Sequence, residues 1–174
     1  DVDIGLVSIN CFSTGDDQLS SMAAFTVHRT FGILAEVISD SDGQDIGSVG
    51  PVAPGSEVTF DIRITDSTDE TTQNTWRLIS PDKLSKNTDI DPSYATWDYT
   101  MKDDNGSEVV AIRLMPGNYG DVEVKIDMRD QVLAGNHTIY LRVTEEVSEG
   151  EPRYFDLPLE IRVEEEVKPG RIFV

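Results

Sequence analysis

Four stretches of the chain alternate apolar and polar residues with a period of two. In "GSEVTFDIRIT" Val58, Phe60, Ile62 and Ile64 fall on one side, and Glu57, Thr59, Asp61 and Arg63 on the other. "GDVEVKIDM" repeats the pattern with Val122, Val124, Ile126 and Met128, and "GNHTIYLRV" with His137, Ile139, Leu141 and Val143. "YFDLPLEIRV" does so with Phe155, Leu157, Leu159, Ile161 and Val163. Successive side chains of a strand point to opposite faces, so each stretch predicts a β-strand with one face in a core and one in water. Pro158 falls on the outer side of the last stretch. It has no N–H to give to a ladder, which predicts an edge strand or a position whose nitrogen faces no partner.

Shorter segments fill the gaps. "NTWRLIS" sets Trp76 and Leu78 on one side, the profile of a central strand with a core tryptophan. "TWDYTM" and "EVVAIRL" flank "KDDNGS", where Asn105-Gly106 predicts a hairpin turn. Pro54-Gly55 and Pro116-Gly117 each precede an alternating strand. Proline fixes φ and glycine permits φ above zero, so each pair predicts a tight turn that aims the strand after it. No window has apolar residues at helical spacing, and "SPDKLSKNT" has room for one helical turn at most. The fold class is therefore all-β, an antiparallel sandwich. Trp76 is expected between two sheets with Phe60, Ile62, Val124, Ile139, Leu141 and Ile161.

"VAPGSEVTFDIRIT", the tryptophan strand, "PGNYGDVEVKIDM", "LAGNHTIYLRV" and a closing strand together resemble the immunoglobulin-like repeats of secreted prokaryotic proteins. The nearest patterns are the alpha-galactosidase NPCBM-associated domain and the cell-adhesion-related domain found in bacteria. The likeness covers about residues 31 to 168 and implies an immunoglobulin-like antiparallel β-sandwich. Such repeats serve as spacers, adhesive modules and enzyme accessories alike. Where the family usually has a loop-capping tyrosine just after Ala-Gly, this chain has His137. A packed imidazole hydrogen-bonded to backbone is expected there, rather than a metal ligand.

Residues 1–30 fall outside the likeness. "DVDIGLVSINCF" and "SMAAFTVHRT" predict an extra N-terminal strand pair joined by the polar loop "STGDDQLSS". They read as the tail of a preceding repeat or an N-terminal β extension, followed by the sandwich at 31–168 and a linker to a following module at 169–174. Val2, Ile4, Phe25 and Val27 would share one face, and an uncovered edge invites pairing. The segment is thus expected to add strands to a sheet edge, in its own chain or in a homo-oligomer.

Charge narrows the partners. The chain has 33 acidic and 14 basic residues among 174, a net charge of −19. Nucleic acid and anionic membrane need clustered Lys and Arg, so neither is expected as a partner. The acidity reads either as a solvated surface in a salty medium or as cation binding. No run of 18 apolar residues occurs, so no direct membrane insertion is expected. Cys11 is the only cysteine, so no internal disulfide forms. No signal peptide is visible, and the chain reads as a piece of something longer.

Candidate chemistry is sparse. There is no GxSxG, HExxH or P-loop, and the acidic residues read as outward strand positions or loops, so no catalytic residue and no enzyme is expected. "DSDGQD" sets Asp40, Asp42 and Asp45 around Gly43. Alternate oxygens around a glycine bend are a calcium pattern, but Ile38 and Val49 occupy the outer ligand positions of an EF-hand, so that loop is excluded. A plain polar loop and another calcium geometry both stand; no other cofactor is implied. "KDDNGS" fails the same way at Met101 and Ile112. Asn105 and Asn136 head N-x-S/T sequons and are candidate glycan attachment sites.

The leading expectation is a non-catalytic structural or adhesive module of a large secreted or cell-surface prokaryotic protein, extracellular, with other repeats of the same polypeptide as its partners. Surface glycans or proteins are further partners. The alternatives are a carbohydrate-binding or accessory module of a glycoside hydrolase, and a strand-exchanging filament subunit. Sugar contact would call on Trp97, Tyr99, Tyr94 and Tyr119.

Overall fold

A computed structural model describes residues 4–12, 20–28, 32–41, 47–68 and 70–165, the first two stretches by backbone alone. The chain divides into two units, residues 1–31 and 32–174. In the first, β1 (Ile4–Phe12) and β2 (Ser20–His28) pair antiparallel as a two-stranded sheet, from Ile4↔His28 to Phe12↔Ser20. The strand pair expected of the N-terminal segment is there. Its register sets Ile4 opposite His28 but Phe25 opposite Val7 and Val27 opposite Gly5, so Ile4 falls on the other face of the pair from Phe25 and Val27, and the single shared face expected of them is not formed. Val2 and the joining loop lie outside the described residues.

The second unit is a β-sandwich of two sheets. Its chain order is β3 (Ile33–Asp40), β4 (Ser48–Val52), β5 (Glu57–Asp66), β6 (Asn74–Ile79), β7 (Asp98–Asp103), β8 (Ala111–Leu114), β9 (Tyr119–Asp127), β10 (Gly135–Glu145) and β11 (Tyr154–Val163). One sheet runs β3-β5-β9-β7 and the other β4-β11-β10-β6-β8. The inward residues read from the alternation are the core: Phe60, Ile62, Trp76, Val124, Ile139, Leu141 and Ile161 are at most 1% exposed. Burying each such side chain contributes roughly 1.5–3 kcal/mol.

Both proline–glycine pairs form the same turn. Ser56 N–H donates to Ala53 O at 3.2 Å with Gly55 at φ +76°, and Asn118 N–H to Met115 O at 2.9 Å with Gly117 at φ +81°. Each turn carries the chain from the five-stranded sheet to the four-stranded one, from β4 to β5 and from β8 to β9. Because β5 and β9 are antiparallel, the two turns sit at opposite ends of the sandwich. Pairing is antiparallel throughout except at β4, which lies parallel to β11. There Gly50 approaches so closely that a Cβ would sit 2.3 Å from Arg162 O, so no other residue fits.

Two more expectations need correcting. The segment after β6 holds more than one helical turn: a 3-10 turn at Pro81–Lys83, α1 at Ser85–Ile90 and a second 3-10 turn at Pro92–Thr96. Pro81 and Pro92 both sit in first turns, where a missing N–H costs nothing, and the pieces are too short to show a period. The second correction concerns the hairpin at Asn105-Gly106. The turn forms, with Asp103 Oδ1 accepting from the Asn105 and Ser107 amides at 2.9 Å. Its two strands then part company: β7 pairs with β9, and β8 crosses over to pair with β6.

The helical segment stands in for a strand. β6 covers only Arg142–Glu145 of β10. Farther along that edge the fully buried Asn87 of α1 takes over. Its Oδ1 accepts from Tyr140 N–H at 2.8 Å and its Nδ2 donates to Tyr140 O at 2.7 Å and Pro81 O at 3.0 Å. Tyr140 therefore turns its backbone groups away from its cross-strand partner Pro158. Pro158 in turn has its imide nitrogen on the outer side of β11, beyond the Glu160–Val163 stretch that β4 covers. The proline is tolerated for the second of the two reasons expected.

Candidate functional site

Among the described residues the most buried charge is Asp66, at the end of β5 and 0% exposed. It continues the inward parity of Ile62 and Ile64, so the expectation that every carboxylate lies outward fails here. Its Oδ1 accepts from Thr68 N–H at 2.9 Å and Thr68 Oγ1 at 2.7 Å; its Oδ2 accepts from Asn74 Nδ2 at 2.9 Å and Trp76 Nε1 at 3.1 Å. Burial acts to raise its pKa, but these bonds to the charged form outweigh it and hold the carboxyl below its usual range. A signal was present in the sequence: an inward acid followed within ten residues by Thr68, Asn74 and Trp76, all donors.

A second polar cluster lies under the loop before β10. His137 is buried, with Nε2 at 2.7 Å from Leu133 O and Nδ1 at 3.2 Å from the Tyr94 hydroxyl. A carbonyl only accepts, so the arrangement suits the tautomer with Nε2–H donating to Leu133 and Nδ1 accepting from Tyr94. This is the packed, backbone-bonded imidazole expected. Tyr94 and Trp97 close around it, edge to face with ring centroids 5.1 Å apart.

The other candidate positions scatter. Asp40 Oδ2 accepts from Gly47 N–H at 2.8 Å, while Asp42 and Asp45 lie outside the described residues. Asn105 is exposed in its turn, and Asn136 is exposed opposite Arg162 of β11. Of the four aromatic residues named for sugar contact, Trp97 and Tyr94 are buried, and half-buried Tyr99 donates its hydroxyl to Tyr94 O at 2.9 Å. Only Tyr119 is exposed, and the Arg63 guanidinium lies 4.0 Å over its ring. The other three turn inward because each has apolar area to bury, and the sequence could not separate them from surface rings.

What remains are the two outer faces, and they differ in sign. The outward strand positions of the four-stranded sheet carry Glu36, Glu57, Asp61 and Asp98, then Asp121, Glu123 and Asp127, against Arg63, Lys102 and Lys125. Several like charges sit directly opposite each other: Asp61↔Glu123, Glu57↔Asp127 and Asp98↔Asp127. Arg63 clamps Asp121 with two bonds, at 2.8 and 2.7 Å, and that pairing holds the Asp121 carboxyl below its usual range despite some burial. A shallow pocket of about 390 Å³ opens between Asp61, Glu123, Lys102 and Asp103. On the five-stranded sheet the outward strand positions carry Arg77, Arg113, Arg142 and Arg162 against Asp156 and Glu160. Arg142 holds Asp156 at 2.6 and 2.9 Å.

No protein-family model matches the sequence, and no curated protein does. The resemblance to immunoglobulin-like repeats thus stands on its motifs and on the sandwich itself. Solved structures of similar shape include a family 123 glycoside hydrolase from Clostridium perfringens, 12% identical over 79% of this chain with a TM-score of 0.43. This chain spans only 28% of that protein. A conjugate transposon protein from Bacteroides vulgatus is 9% identical over 85% of this chain and 96% of its own, with a TM-score of 0.37. The major pilin subunit of Bacillus cereus is 9% identical over 91% of this chain and 48% of its own, with a TM-score of 0.43. Likeness at this level carries nothing about chemistry or partners.

Proposed function

We propose that this β-sandwich is a non-catalytic structural or adhesive module of a large secreted or cell-surface prokaryotic protein. The observation that carries the reading is where the chain enters and leaves. β3 and β4 both run opposite to β5, and β11 runs parallel to β4. The chain therefore comes in at one end of the sandwich and goes out at the other. A module of that kind adds its own length to whatever it joins.

Its buried polar groups support the same reading. Asp66 and His137 are consumed in bonds that hold loops and sheets in place. The described carboxylates with shifted pKa values are shifted down, whereas a general acid is tuned up. No helix among the described residues is long and apolar enough to cross a membrane.

The test is small-angle scattering of two copies of residues 32–165 joined in tandem. The maximum dimension should grow by about 35 Å relative to one copy, the length of a ten-residue strand at roughly 3.4 Å per residue. Copies that fold back side by side, with no such growth, would refute the spacer reading.

A further inference from the structure

We infer that copies of this chain dock on one another, the outer face of the five-stranded sheet on one copy against the outer face of the four-stranded sheet on the next. The inference stands apart from the spacer reading, since it concerns the faces rather than the ends. Three observations carry it.

The first is charge complementarity. The chain has more than twice as many acids as bases, yet four arginines and only two carboxylates occupy the outward strand positions of the five-stranded sheet, with Glu146, which pairs with Arg77, and Glu164 just past the strand ends. Arg113 and Arg162 form no ion pair among the described residues. With acids so abundant, two arginines on one face without an ion pair among the described residues are not forced by composition.

The second is the repulsion built into the opposite face. Like charges placed directly across a ladder destabilise a sheet. Asp61↔Glu123 is such a pair and lines a pocket open to solvent, whereas in the neighbouring row Glu57↔Asp127↔Asp98 the repulsion is already eased, by Lys125 at 2.5 Å from Glu57 and 3.9 Å from Asp127 and by Arg129 at 3.2 Å from Asp98. A guanidinium from a neighbouring copy, entering between Asp61 and Glu123, would relieve that pair with two-pronged bonds.

The third is apolar area on both faces. Leu34 and Tyr119 are exposed on either side of Thr65 in one row of the acidic face. Val110 and Tyr154 are exposed at the margin of the basic one. The contact joins two different surfaces, so it is heterologous and propagates into an open array unless a rotation closes it. A net charge of −19 makes whole copies repel, but that field is screened beyond about 10 Å at 0.1 M salt while charges in contact are not.

Sedimentation velocity of the full chain over a concentration series tests this. At about 0.1 M salt the mean particle mass should rise with concentration past a dimer, and at about 1 M, where screening reaches roughly 3 Å, it should return to the monomer. Arg113→Glu with Arg162→Glu should abolish the rise, as should Asp61→Asn with Glu123→Gln. Mixing these two variants is the decisive arm. Each keeps the face the other lacks, so the mixture should give pairs that do not grow. If a charge reversal lowers the melting temperature, Arg113→Gln with Arg162→Gln replaces it. A monomer at every salt and concentration overturns the inference. So does any association that survives in both variants, because it would belong to another surface, the N-terminal strand pair included.

Discussion

Asp66 and Trp76 join the two sheets of the sandwich through a single hydrogen bond: the indole Nε1 on β6 donates to Oδ2 on β5 at 3.1 Å. Both residues are fully buried. A chain whose one cysteine forbids an internal disulfide has here a polar tie between sheets. The carboxylate takes four donors on two oxygens, so any group that donates in its place meets a donor.

Asp66→Asn should therefore be costly despite its matching shape. Turned one way, its NH2 faces Asn74 Nδ2 and Trp76 Nε1, which only donate; turned the other, it faces the Thr68 amide, while the Thr68 hydroxyl can rotate to accept from it. At least one donor thus loses its acceptor, at roughly 1–3 kcal/mol, read as a lower urea midpoint with an unchanged slope. Trp76→Phe keeps most of the packing but removes one donor, and should cost less than Trp76→Ala at about 3–5 kcal/mol. An Asp66→Asn variant as stable as the parent would show that the four bonds contribute nothing.

The same carboxylate sets an acid limit. Its pKa is depressed on folding, so its contribution is complete above the unfolded value of about 3.9 and disappears as pH falls through the lower folded value. Asp121 and Asp156, held down by Arg63 and Arg142, act in the same direction. Stability should be nearly level from pH 7 to about 5 and should drop below about 4. Asp66→Asn should flatten part of that drop; an unchanged acid slope would take Asp66 out of the account.

Asn87→Ala should leave Tyr140 N–H and the carbonyls of Tyr140 and Pro81 without their side-chain partner. The cost should be about 2–4 kcal/mol, and the Tyr140 amide should exchange with solvent much faster than its strand neighbours. Retained protection at Tyr140 would mean that another group closes this edge.

Asp127→Asn should stabilise the protein. Asp127 faces Glu57 on one side and Asp98 on the other. Each relieved pair is worth roughly 0.2–1 kcal/mol, and the gain should fade in about 1 M salt. A loss of stability at low salt would mean that its contact with Lys125, at 3.9 Å, outweighs both repulsions.

Asp40 already accepts the Gly47 amide, so millimolar calcium is expected to leave the melting temperature unchanged. A rise in calcium over chelator that Asp42→Ala abolishes would put a cation in that loop instead.

Sequence pattern carries the strands that alternate over many residues, because one face of each is buried and the register admits no slip. Phe60, Val124 and Ile161 are core residues on that ground alone. The pattern fails where geometry depends on partners far along the chain. Asn105-Gly106 specifies a turn but is silent on which sheet receives Asp98–Asp103 and which receives Ala111–Leu114. Asn87 looks like any polar residue of a short helix until the missing end of β6 makes its amide the group at hand. Asp66 departs from expectation because charge ordinarily wins over parity, and its four donors reverse that balance.

The two terminal strands of the sandwich have a mechanical consequence. Tension along the chain would draw β3 back along β5 and β11 forward along both β10 and the parallel β4. Pulled along their own axes, these strands load their ladder bonds together, in shear, whereas a hairpin pulled open from one end gives way bond by bond. Forced unfolding is governed by the height of the unfolding barrier rather than by equilibrium stability. The sandwich should thus bear load well beyond what its free energy of folding alone would suggest.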